Sequence, residues 1–185
     1  MYGLPNGERY LFPDEKRIKY YREQLSYLGD GPYVAVCWFG GTKATRVMER
    51  SIPATQLQAI IDKYTCVSAQ YNNGNPHIEK DRRDAGLYLI NEDSCGKDLA
   101  EQAALFAAVD AVVTVQQTAV HVAGAVGAKT FVMVPERPQW RYGLEGDSMP
   151  WYKSVKLYRK KNDRQSWSKV IKQLKGDLDA YLKQL

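Results

Sequence analysis

Apolar and polar positions in this chain fall into two recurring rhythms, and the clearest example spans residues 110–135. Ala111–Val115 is a valine-rich, uncharged run, as expected of a strand covered on both faces. Gln116, Gln117 and Thr118 then bring amides and a hydroxyl to its carboxyl end. The helix expected next carries Ala119, Ala123, Gly124 and Ala125, small enough for its backbone to lie close to a sheet. Gly127 occupies a helix C-cap position, and Thr130–Val134 resumes the strand pattern.

The same reading extends to both ends. Asp14 is placed to cap a helix to about residue 28, with Ile18, Tyr21, Leu25 and Leu28 at helical spacing. Residues 33–39 predict the first strand, Pro53 opens a helix to Tyr64, and residues 65–70 predict the second strand. Residues 71–86 read as the least structured part, followed by a short third strand in GLYLI. An amphipathic helix over 97–109 should bury Leu99, Ala103, Phe106 and Val109. After residue 134 the pattern gives a long aromatic loop to 152, a last short strand over 155–158 and a closing helix from 165. Strands alternating with helices predict an α/β fold: a three-layer, Rossmann-like domain with a parallel sheet and right-handed crossovers. Residues 1–30 are expected to be a lead-in and helix, and residues 31–185 the domain itself.

Composition narrows the function classes. A chain of 185 residues with 44% hydrophobic and 25% charged positions fits one globular domain. No apolar run approaches the roughly 20 residues that span a bilayer, and the amino terminus lacks a secretory apolar core, so the expected location is the cytoplasm. Cys37, Cys66 and Cys95 are widely spaced and expected to be free, buried thiols. With only two histidines and no cluster of ligands, no metal is expected. The net charge of +5 is compatible with phosphate-bearing ligands, whereas no RNA-binding motif accompanies the basic run 159–161, so no nucleic acid is expected.

Chemistry concentrates in two connections. After the first strand, Gly40 and Gly41 permit close backbone approach, Thr42 offers a hydroxyl, and Lys43, Arg46 and Arg50 supply cations. Backbone amides with mobile positive charge suit a pyrophosphate, although the spacing matches neither a Walker motif nor GxGxxG. A solvated basic loop fits the same residues. Gln116, Gln117 and Thr118 emerge on the same sheet edge, where ligands of open α/β sheets bind. His121 is expected as a packed histidine bonded to a backbone carbonyl, facing ligand rather than acting as a base. In the aromatic loop, Trp140 could stack on a base or sugar, or simply pin the loop.

At these residues the chain resembles a known family. VAVCWFGGTKATRVMERSIP resembles the start of the C-terminal domain of glycosyltransferases related to the ADP-heptose:lipopolysaccharide heptosyltransferases. It is most similar to the version at the C-terminus of bacterial tetratricopeptide-repeat proteins, where a W-x-G-G-T-x-x-T-R…R-S-I-P pattern recurs. VDAVVTVQQTAVHVAGAVGAKTFVMVP and PQWRYGLEGDSMPWYKSVKLYR resemble its other two hallmarks, in the family order. The resemblance implies one half of a GT-B architecture that binds a nucleotide-sugar donor without metal or other cofactor. It places Lys43, Arg46 and Arg50 at the phosphates and Thr118 under the diphosphate. Gln116 and Gln117 stand where many relatives carry aspartate and threonine. The family's N-terminal domain supplies the acceptor site and usual catalytic carboxylate, and residues 1–30 are too short to replace it, so a separate acceptor-binding domain or chain is the expected partner. The alternative is a non-catalytic nucleotide-binding or protein-interaction module of the same fold.

Overall fold

The computed structural model describes residues 7–72, 74–162 and 164–185, with Lys43 described by its backbone alone. Six strands form one sheet: β1 (Tyr33–Cys37), β2 (Thr65–Ser68), β3 (Ala111–Val115), β4 (Thr130–Val134), β5 (Ser148–Met149) and β6 (Tyr152–Arg159). Their spatial order is β2-β1-β3-β4-β6-β5. The pairs from β2 through β6 are parallel, and β5 alone runs antiparallel against β6. Helices α1 (Glu15–Ser26), α5 (Leu99–Ala108) and α6 (Thr118–Val126) lie on one side. Short helices α2 (Val47–Arg50) and α3 (Gln58–Ile61), with α4 (Pro76–Asp84) and α7 (Trp167–Leu182), complete the chain.

Alternation along each strand divides the core between the two faces. Val34 and Val36 of β1, Val113 and Val115 of β3, and Phe131 and Met133 of β4 pack with Leu174 and Leu178 of α7. Ala35, Cys37 and Val112 face Tyr21, Leu25, Phe106 and Ala123 instead. Val132 and Val134 join Val120, Tyr142, Tyr152 and Leu157 in a third cluster. Every residue of β3 and β4 is buried, as the uncharged runs require. Asp14 caps α1 through the Lys16 and Arg17 amides, and Gly127 ends α6 in the left-handed conformation.

Several expectations are corrected. Residues 76–84 form α4, begun by an Asn75 cap and Pro76 and held by pairs such as Arg82 to Glu79. Its single buried side chain, Ile78, gave no periodic apolar signal. GLYLI forms no strand, only one bridge between Tyr88 and Val67. Leu99 is 55% exposed, so the buried face of α5 turns toward Gln102, Ala103, Leu105 and Phe106 instead. The helix expected from Pro53 splits into a 3-10 turn, Ala54–Leu57, and α3. Arg159, in the basic run 159–161, donates to the carbonyls of Tyr142, Gly143, Glu145 and Gly146 and so folds the preceding loop. All three cysteines are buried and free, and burial pushes the Cys66 thiol up to about 12.

Candidate functional site

Register places the two polar connections together. Cys37 at the end of β1 pairs with Thr114 of β3, so the 38–46 loop and the 116–118 turn leave the sheet side by side. A cleft of about 630 Å3 opens there, lined by Gly41, Thr42, Arg50, Gln117, Thr118 and Ala119. Gln70, Tyr71, Asn72 and Gln102 also line it, as do His121, Arg141 and Tyr142. Among the described residues no carboxylate lines it, whereas two arginines and a histidine do. No side chain caps the start of α6, which opens into the cleft at Thr118 and Ala119. Uncapped amides and guanidinium groups without a counter-charge favour an anion.

The glycine loop is built by close packing. A Cβ on Gly40 would lie 2.5 Å from the Gln116 carbonyl oxygen, so only glycine lets the loop rest on the β3–α6 turn. Ser51 Oγ accepts from the Gly40 amide at 3.1 Å. Arg50, 7% exposed, donates to the Gln116 carbonyl at 2.6 Å and to the Thr45 carbonyl at 3.2 Å. Its guanidinium is therefore part of the wall, with two of its nitrogens spent on the protein, rather than a mobile phosphate ligand. Burial lowers its pKa, and the neighbouring Arg141 and Arg46 charges act in the same direction against Tyr142.

Arg46 adopts φ 58, a left-handed conformation rare for a residue with a side chain, and approaches Glu49 at 3.6 Å. Glu49 also pairs with Arg137 at 3.1 Å. Lys43 begins the 3-10 turn Lys43–Thr45, and its side chain lies outside the described residues.

The two glutamines divide their work. Gln116 is fully buried and lines no part of the cleft; its Oε1 accepts from the Gln139 amide at 3.2 Å. It secures the aromatic loop through this bond, while its Nε2 is buried without a partner. Gln117 does line the cleft, with its amide 3.4 Å from both Gln70 Oε1 and Thr114 Oγ1. Trp140 is 73% exposed, sits edge-on to Trp151 and lies outside the cleft lining. His121 bonds no backbone carbonyl: its Nδ1 is 3.4 Å from the Tyr152 hydroxyl, and its Nε2 is buried without a partner. Burial first, then the Arg141 charge, lowers its pKa and so favours the neutral ring.

Three contributors were not legible as such: Gln70, Asn72 and Gln102. Gln70 accepts from the Trp38 and Phe39 amides through Oε1 and donates to the Phe39 and Tyr71 carbonyls through Nε2, joining the ends of β1 and β2. Its position at the end of an apolar strand was the available signal. Asn72 and Gln102 lie in segments without any motif, whereas Tyr142 belongs to the third quoted stretch. Beside the cleft is a recess of about 350 Å3 that shares Gln70, Tyr71, Asn72 and Ile78 with it. Trp38 lines this recess at 1% exposure, and neither its Nε1 nor Asn72 Oδ1 has a partner. Among the described residues no group of three metal-ligating side chains occurs, and no helix is long and apolar enough to cross a membrane.

The mostly parallel sheet and its helical layers form a Rossmann-type α/β fold like that seen in solved glycosyltransferases. The structure of E. coli ADP-heptose LPS heptosyltransferase II superposes with a TM-score of 0.67 at 16% identity, over 98% of this chain and 56% of that one. A family 9 glycosyl transferase from Veillonella parvula gives 0.63 at 14% identity, over 85% of this chain and 44% of that one. In sequence, Protein FlbA of Caulobacter vibrioides is 27% identical over 160 residues, 84% of this chain and 26% of that protein. The chain thus spans about half of the two solved chains and about a quarter of the curated relative. No family model matches it.

Proposed function

We propose that this chain is the nucleotide-sugar-binding half of a metal-independent glycosyltransferase. The observation that carries the reading is the carboxylate-free cleft, with Arg50 and Arg141 in its wall and the uncapped start of α6 at its floor. The donor diphosphate lies over Thr118 and Ala119, between Gly41–Thr42 and His121, where dipole and guanidinium charge offset the developing negative charge of the leaving group. The adjoining recess takes the base: Trp38 Nε1 supplies a donor and Asn72 Oδ1 an acceptor, each otherwise unpaired. Trp140, exposed on the outer side of its loop, is available to whatever faces this domain.

Among its described lining residues the cleft offers no carboxylate as base for a sugar hydroxyl, and His121 is assigned to ligand binding. We assign that role, with acceptor binding, to a separate domain or chain, in keeping with the partial coverage of the solved glycosyltransferases. The test is calorimetry and thermal shift with UDP-, GDP- and ADP-sugars in the presence of a chelator. Binding of one nucleotide class, undiminished by the chelator, is expected. Failure of all three classes to bind at millimolar concentration would overturn the reading.

A further inference from the structure

Behind His121, outside the cleft lining, lies an aromatic group assembled from three separate stretches of chain. A Cβ on Gly124 would fall 2.3 Å from Tyr152 Cγ and 2.5 Å from its Cδ2, so the bare backbone of Gly124 is the seat of the Tyr152 ring. Gly124 follows His121 by one helical turn, which brings the Tyr152 hydroxyl to 3.4 Å from His121 Nδ1. The Tyr10 hydroxyl lies 3.2 Å from that of Tyr152, and the Tyr10 and Leu11 amides both donate to the Ala125 carbonyl. Tyr10 is thereby fixed on the last turn of the same helix.

This arrangement has a chemical direction. A phenol is the better acid and an imidazole nitrogen the better acceptor, which favours a hydrogen bond from the Tyr152 O–H to Nδ1. With the Tyr152 proton so placed, the Tyr10 hydroxyl is left to donate to the Tyr152 oxygen, each hydroxyl reinforcing the next. A neutral imidazole that accepts at one nitrogen carries its proton on the other. Nε2 is the buried atom that lacks any partner, in a ring that lines the cleft. A buried N–H left unpaired is costly, and a ligand oxygen is what completes it.

We infer that Tyr152, seated on Gly124 and backed by Tyr10, fixes His121 as the Nε2–H tautomer and so supplies a neutral N–H donor to an anion in the cleft. Tyr152 and Tyr10 are positioning residues: they act on the ligand only through His121. The purpose of the device rests on the nucleotide-sugar reading, whereas its existence is measurable in the free protein.

The experiment is long-range 1H–15N correlation of the imidazole in a His77→Gln background, which leaves His121 as the sole histidine. The unliganded protein is expected to show a protonated Nε2 and a bare Nδ1. Tyr152→Phe, which keeps the ring and removes the hydroxyl, should move the shifts toward a mixture of both tautomers, and Tyr10→Phe should move them less. Inorganic pyrophosphate should bind Tyr152→Phe about tenfold more weakly than the parent. A proton on Nδ1 in the parent, or identical imidazole shifts in parent and Tyr152→Phe, would overturn the inference. Correct tautomer shifts without any pyrophosphate binding would leave the tautomer assignment standing and count instead against the anion-binding reading of the cleft.

Discussion

The Arg50 guanidinium donates to the main-chain carbonyl of Gln116 at 2.6 Å, across 66 residues of sequence. With its second bond to the Thr45 carbonyl, it fastens the glycine loop to the β3–α6 turn. Arg50→Ala leaves two carbonyls unpaired and should cost about 2 kcal/mol of stability. Arg50→Lys should recover little, because a single ammonium lacks the planar fork that meets both acceptors. Urea midpoints of the three proteins decide it; an alanine variant as stable as the parent would show that the tie is dispensable.

Two glycines should respond to alanine in opposite directions. At Gly40 the added methyl meets the Gln116 carbonyl oxygen at 2.5 Å, so the loop must lift, at a cost of about 1–3 kcal/mol and with weaker pyrophosphate binding. At Gly176, exposed within α7, nothing lies within 4 Å of the new carbon. There alanine should stabilise by about 0.5–1 kcal/mol, the helix-propensity gain alone. Thermal or chemical unfolding of the pair checks both signs.

The thiols should be inert in the native protein. Burial pushes Cys66 up to about 12 and Cys95 up to about 11, and raises Cys37 as well, so all remain protonated and sheltered near neutral pH. A chromogenic disulfide reagent should find no reactive cysteine before denaturation and three afterwards. Rapid labelling of the folded protein would contradict this packing.

Asp179 is the hub that joins α7 to the β2 edge. Its carboxylate receives Lys63 at 2.9 Å, Lys175 at 2.8 Å and the Tyr64 hydroxyl at 2.6 Å. Burial works to raise its pKa, but the Lys175, Tyr64 and Lys63 donors outweigh it and hold the carboxyl below the usual range. A depressed folded pKa contributes stability that is present above the unfolded value of about 3.9 and lost as pH falls through the folded one. Asp179→Asn should therefore cost about 1 kcal/mol at neutral pH, and the gap from the parent should close below about pH 4. A gap that stays constant down to pH 2 would assign the loss to packing rather than charge.

What could be read in advance follows from how each signal is encoded. β3, α6 and β4 were legible because burial on both faces demands apolar runs, and Gly127 marks the end of the helix between them. α4 was not, since its helix is written in caps and charge pairs around the single buried Ile78. The two-residue β5 follows a loop whose 142, 143, 145 and 146 carbonyls Arg159 gathers, and it pairs back along β6. In the site, residue types pointed to the right connections but not to the direction of each side chain. Gln117 and Gln116 are neighbours of one type, yet the first lines the cleft and the second is buried under the aromatic loop. Gly40 and Arg50 looked like ligand groups, and they hold the loop in shape. Tyr152 became visible only when the space above Gly124 was known.

The margins of the sheet bear on how this domain meets other proteins. One margin ends in β5, two residues long and antiparallel to its neighbour, and at the other the 86–91 segment crosses β2 and bridges Val67 through Tyr88. Neither presents a long, flat row of unpaired amides on which a foreign strand could grow. Joining end to end by strand addition, the commonest hazard of an open sheet, is thereby discouraged at both sides. Side chains rather than backbone are what the domain offers at its surface, among them the exposed Trp140, Leu144, Met48 and Leu99.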